Sequence, residues 1–236
     1  MKLSVIKFRT AVAGTLVAAA CVMAPTAAHA ETHYRPHISI GAHAGMAMGR
    51  MSFSPSVKQK WIDGVEFGVQ ARYAEEKIVG VVAELNLSQR GWAEQFDDQP
   101  ELQYKRHLTY IDLPVMTHIN FGSPRFRCFV NLGPQVSFMV GDKITSNFDY
   151  ANPASADIPT TRRTAQMAMD VKNKIDYGIT AALGAEFWVR PRHSVYLQAR
   201  YYYGLGSIYG SSKADTFSAS RCMALSVTLG YNFRLK

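Results

Sequence analysis

After its first 30 residues the chain contains no run of 18 consecutive apolar side chains, so no later segment can cross a bilayer as a helix. No stretch is dense in Lys and Arg although the formal net charge is +8, which argues against a nucleic-acid footprint. Residues that could do nucleophilic chemistry are thin on the ground. The nearest pairs are His107 with Thr109 and His118 with Thr117, and neighbours on a strand point to opposite faces, so the second pair cannot cooperate. His33 and His37 are four apart, but Pro36 between them disfavours the helix that would align both imidazoles on a metal. These absences predict no catalytic residues, no metal, no cofactor and no enzyme activity.

The N-terminus is informative. Lys2, Lys7 and Arg9 precede an apolar stretch from Ala11 to Met23, followed by the small-residue triplet Ala28-His29-Ala30. That is the pattern of a secretory signal peptide over residues 1–30, cut between Ala30 and Glu31, leaving residues 31–236 as the mature domain. Lipidation at Cys21 is the lesser reading, because Ala18-Ala19-Ala20 lacks the expected leucine. The leader carries three positive charges and no acid, which leaves +5 on the mature chain.

Beyond the leader the chain alternates between apolar and polar side chains, with Val82 an exception and the segment 110–121 less clean. From Met223 onward, Leu225, Val227, Leu229, Tyr231, Phe233 and Leu235 alternate with Ala224, Ser226, Thr228, Gly230, Asn232 and Arg234. The same period of two recurs over 37–48, 65–73, 79–90, 110–121, 126–140, 176–189 and 195–205. A tilted membrane strand needs about 9 to 11 residues, and each of the eight segments supplies that length. The polar face carries Gly, Ser and Asn together with Glu66, Arg72, Glu84, Asp112, Arg127, Glu186 and Arg200, while the apolar face is nearly free of charge. A water-facing exterior without Lys or Glu would be unusual, whereas a lipid-facing one demands it, so the charges belong to a lumen, where they are expected to form a structural network of paired ions.

Connections alternate too. Short ones fall at 75–77, 122–124 and 190–193, and long ones at 52–60, 91–105, 141–174 and 207–220. Three short and four long connections predict an all-β fold: a single eight-stranded antiparallel up-and-down transmembrane β-barrel in the outer membrane, with both termini in the periplasm. Trp61 and Trp92 would mark one interfacial girdle, and Tyr73, Phe121, Phe126, Phe187, Trp188 and Phe233 the other. Residues 228–235 match the polar-x-Gly-x-x-apolar-x-apolar signal read by barrel-assembly machinery. Cys128 follows a short turn and Cys222 a long loop, too far apart for a disulfide.

The stretch Leu108–Gly122, with Tyr110-Ile111-Asp112-Leu113-Pro114, and Arg125–Val140, with Asn131-Leu132-Gly133-Pro134, resembles PorT-like outer-membrane β-barrel proteins of Bacteroidota. The resemblance implies a porin-like seating in the membrane and a role in protein secretion, type IX secretion included; no catalytic residue transfers with it. Eight strands enclose only enough space for side chains, so a general diffusion pore is disfavoured. The expected function is therefore that of a monomeric, non-enzymatic accessory or interaction protein in secretion or surface assembly. Its partners would be outer-membrane lipid, the assembly machinery and secretion-system or surface proteins, with no nucleic acid. Phe148, Tyr150, Met167, Met169, Tyr209 and Phe217 in the long loops are the candidate contact residues. A lipid-modifying enzyme and a purely structural barrel are the alternatives.

Overall fold

Alternating sequence produces alternating burial. In β7 (Ile175–Arg190) Ile175, Tyr177, Ile179 and Leu183 point outward, while Asp176, Thr180, Ala182 and Glu186 point in. The computed structural model describes residues 36–235 apart from 75–77, 98, 153, 155–163 and 211–215. The cleavage site at Ala28, Ala30 and Glu31, together with Cys21 and His33, lies outside the described residues.

The remaining strands are β1 (His37–Ser54), the two-residue β2 (Gln59–Lys60), β3 (Ile62–Ala74), β4 (Val79–Glu94), β5 (Tyr104–Gly122), β6 (Phe126–Ser146), β8 (His193–Gly204) and β9 (Ala219–Arg234). Each long strand pairs antiparallel with the next, and β1 pairs with β9 from Ser39↔Arg234 to Ser54↔Ala219, closing the ring. β2 is a small addition that pairs with the end of β4 through Gln59↔Glu94 and Lys60↔Ala93. Eight long strands thus form an up-and-down barrel without a free edge. Among the described residues no helix is long and apolar enough to cross a membrane. The outside is the apolar face, with Leu229 62% and Leu132 55% exposed, as lipid contact requires.

The strands outrun the predicted membrane segments at one end, the loop end. β1 runs six residues past Met48, β4 continues to Glu94, β5 begins at Tyr104 and β6 ends at Ser146. The four long connections are shortened accordingly, because hydrogen-bonded strand pairing continues after lipid contact stops. Gly91 makes this possible at one point. Its φ is +155°, and a Cβ there would sit 1.9 Å from the Arg106 carbonyl oxygen, so only glycine lets β4 pass this close to β5.

Two aromatic assignments need correction. Trp92 is 0% exposed and faces inward, and Trp188 is half-buried on the inner side, because each shares strand parity with an inward acid, Glu84 on β4 and Glu186 on β7. Trp61, Tyr73, Phe121, Phe126 and Phe187 are exposed on the outer wall, with Phe233 half-exposed. Cys128 stands beside a short turn and Cys222 in the interior at the loop end, so no disulfide joins them.

Candidate functional site in the lumen and its cap

The lumen is filled in tiers, each set by inward positions at matching heights on facing strands. Nearest the short turns, Arg72 on β3 reaches across to Glu186 on β7 at 3.0 Å. Glu186 also accepts from Ser194 at 2.7 Å and from Asn232 at 3.0 Å. Beside it His118 pairs with Asn131 at 2.7 Å. In the middle tier Arg200 on β8 sits between two carboxylates, 3.2 Å from Glu66 and in contact with Glu84. Glu84 also accepts from Asn86, and Tyr196 meets His43 at 3.2 Å.

The third tier is built around Arg90. Its guanidinium lies 2.8 Å from Asp112 and is sandwiched between the rings of Tyr110 and Tyr202, at 4.1 and 4.4 Å from their centroids. Tyr202 in turn donates to Asp176 at 2.9 Å. Buried charges are tolerable when paired and hydrogen-bonded, and guanidinium between two aromatic faces gains further attraction. Tyr110, Asp112 and Pro114 occupy consecutive inward positions of β5, so two of the residues in the Tyr110–Pro114 motif hold Arg90. Between this tier and Arg200 lies a void of about 10 Å³, lined by Glu66, Arg90, Asp112, Gln135, Arg200 and Tyr202 among others. That is room for about one water molecule.

Above the charges the loop end is sealed by a second, apolar layer. Phe53, Trp92, Tyr104, Met167, Tyr209 and Phe217 are all buried and form one cluster with Met51, Leu108, Ile208 and Cys222. Phe53 meets Trp92 edge-on at 5.4 Å and Phe217 at 5.1 Å. A 3₁₀ turn, Ala165–Met167, carries the β6–β7 connection into this layer. Arg106 fastens it. The guanidinium binds Asp142 through two nitrogens at 2.6 and 2.9 Å, donates to the Met169 carbonyl at 2.6 Å, and reaches the Tyr209 hydroxyl at 3.1 Å. Tyr104 and Tyr209 donate to the carbonyls of Met167 and Gln166, each at 3.0 Å. Glu94 accepts from both Trp92 and Gln166, at 2.8 and 3.0 Å. It lies seven residues past Leu87, the last large lipid-facing side chain of β4, and burial raises its carboxyl to about 7.

The residues singled out in the sequence do not all share one setting. Glu66, Arg72, Glu84, Asp112, Glu186 and Arg200 are buried within the tiers, whereas Arg127 is half-buried near the short turns, 5.8 Å from the Trp188 ring. Of the loop residues, Met167, Tyr209 and Phe217 are buried in the cap. Phe148 and Met169 pack partly against it, and Tyr150 is 37% exposed. His107 sits on the outer wall, bonded to the Asp63 carbonyl, and His118 is buried with Thr117 facing away from it. Among the described residues no group of three or more His, Cys, Asp or Glu side chains could hold a metal. Arg90, Arg106, Asp142 and Asp176 were missed as members of the network. Arg90 and Asp176 already stood on the polar faces of the segments 79–90 and 176–189, and following the inward parity of β5 past the membrane span would have found Arg106.

Solved barrels share this architecture. The chain covers 84% of its length against 96% of the outer membrane protein OprG from Pseudomonas aeruginosa, with a TM-score of 0.54 and 12% identity. Neisserial surface protein A matches over 85% of this chain and 99% of that one, with a TM-score of 0.44 and 12% identity. Ail, the attachment invasion locus protein of Yersinia pestis, matches over 84% and 99%, with a TM-score of 0.42 and 12% identity. No curated protein matches. A family model described as an outer membrane protein beta-barrel domain matches residues 30–210. With that match over most of its length, the chain belongs to the outer membrane protein beta-barrel domain family.

Proposed function

We propose that this protein is a non-conducting, non-enzymatic outer-membrane barrel that works as an accessory or interaction protein in secretion or surface assembly, through the surface of its capped loop end. One observation carries the reading: among the described residues the lumen is occupied from the short turns to the cap by paired ions and then by aromatic and Met side chains. A rigid cap made from four connections is instead a platform on which the exposed parts of the loops, Tyr150 among them, are presented. In this reading the short turns and both termini face the periplasm, the cap faces outward, the barrel is monomeric, and assembly machinery reads residues 228–235 during insertion. The resemblance to PorT-like proteins favours secretion, type IX included, as the process served. The test is deletion of the gene in its own host, followed by quantitative proteomics of medium, cell surface and periplasm. Accumulation in the periplasm of exported proteins that share a C-terminal domain is expected. An unchanged distribution would remove secretion from the proposal.

A further inference from the structure

One sector of the barrel end with the short turns carries a charge imbalance that the lumen network does not use. Three neighbouring segments, 123–130, 187–200 and 228–236, contain no Asp or Glu. They contribute Arg125, Arg127, Arg190, Arg192 and Arg234 to the rim. Glu186, the acid immediately before the second segment, is buried and held by Arg72, Ser194 and Asn232. Backbone bonds fix the segments side by side: the Trp188 amide donates to the Arg125 carbonyl at 2.9 Å, and the Arg234 amide to the Arg192 carbonyl at 2.8 Å. Arg234 stacks on Trp188 at 4.2 Å from the ring centroid. Arg125, Arg190 and Arg192 are exposed and make no ion pair among the described residues.

Depth identifies what they face. Phe126 and Phe187 are directly paired across β6 and β7 and lie on the lipid side, 49% and 51% exposed. Arg125 precedes Phe126 in the turn, and beyond the register shift at the end of β7 Arg190 pairs with His193, which meets Tyr231 and Phe233 on the lipid side, so the exposed Arg125 and Arg190 lie at the edge of the apolar belt, at the depth of lipid headgroups. A guanidinium presents a planar fork of donors that matches the oxygens of a phosphate. We propose that Arg125, Arg190 and Arg192 form a binding surface for the phosphate headgroup of an anionic phospholipid in the leaflet at this end of the barrel. An acidic protein segment is the less suitable occupant, because the patch borders lipid rather than projecting clear of it. The inference does not depend on the secretion role or on which way the barrel is oriented.

The test is native mass spectrometry of the full folded barrel in detergent, with dioleoylphosphatidylglycerol or dioleoylphosphatidylcholine added at equal concentration. Three proteins are compared: the wild type, the triple variant Arg125→Gln/Arg190→Gln/Arg192→Gln, and a control, Lys60→Gln/Lys105→Gln/Lys143→Gln, that removes equal charge at the loop end. Heat-shifted gel mobility establishes that each is folded, and the single arginine variants replace the triple if it fails to fold. Wild type and control should retain phosphatidylglycerol in preference to phosphatidylcholine. Each arginine removed should weaken that retention about fivefold, on the order of a hundredfold for the triple. Equal retention of the two lipids by wild type, or a preference that survives in the triple variant, would overturn the proposal, as would an equal loss in the control. A wild type that ignores lipid charge but holds a hexaglutamate peptide, lost in the triple variant, would make the patch a protein-docking surface and the lipid assignment wrong.

Discussion

Replacing Arg90 by Met tests the logic of the filled lumen at one of its most buried charges. The guanidinium is 2% exposed, 2.8 Å from Asp112 and between two tyrosine rings. Methionine fills much of the volume but leaves the Asp112 carboxylate, itself 4% exposed, without its cation. Breaking a buried pair in this way costs about 3–5 kcal/mol. Removing both charges, with Arg90→Met and Asp112→Leu together, leaves no orphan, and such swaps are commonly near neutral. The double variant should therefore lie within about 2 kcal/mol of wild type, and the pair should show a coupling of at least about 2 kcal/mol. The assay is reversible guanidinium unfolding in detergent micelles, monitored by tryptophan fluorescence and by heat-shifted mobility on gels. Additive losses in the two single variants, or a loss below about 1 kcal/mol for Arg90→Met, would show that the lumen charges are not held by each other.

Two further predictions concern the cap. Arg106→Ala should free the β6–β7 connection, which contains Lys172 and Lys174, and raise its rate of cutting by trypsin by about a hundredfold while the barrel stays folded; an unchanged rate would mean that Arg106 does not fasten the loop. Burial raises Glu94 from its ordinary 4.5 to about 7, so the folded state binds more protons than the unfolded chain between those values. The stabilisation associated with this group is then full below about pH 4.5 and falls as pH rises to about 7, by about 3 kcal/mol, and is flat above. The difference in stability between wild type and Glu94→Gln, measured from pH 4 to 8, should trace that curve; a constant difference would place Glu94 in water.

The number of strands and the direction of their side chains were legible because lipid outside and a packed lumen inside force a period of two with little tolerance for error. Glu66, Arg200 and Glu84 are on three different strands, and parity alone aims them at a common interior. Which acid meets which base was not legible, since it depends on register across the ring. Strand ends were underestimated because the alternation changes character at the edge of the membrane: inward residues become Trp92, Tyr104 and Leu108 while outward ones become Gln89, Lys105 and His107. Apolar-in and polar-out is the pattern of a soluble sheet, and it reads as a loop only when lipid contact is the criterion. The same inversion explains why Trp92 looked like an interfacial aromatic. For Met167, Tyr209 and Phe217 composition could not separate a cap from an exposed contact surface, because both uses favour the same side chains.

A closed lumen has one direct consequence that neither folding nor family membership guarantees. Purified, folded protein inserted into planar lipid bilayers at neutral pH should give no discrete conductance steps, because the void between its middle and third ion-pair tiers is about 10 Å³ and the cap seals it from one end. Steady single-channel steps that scale with salt concentration would contradict this, and would require the paired ions and the aromatic layer to part in the membrane.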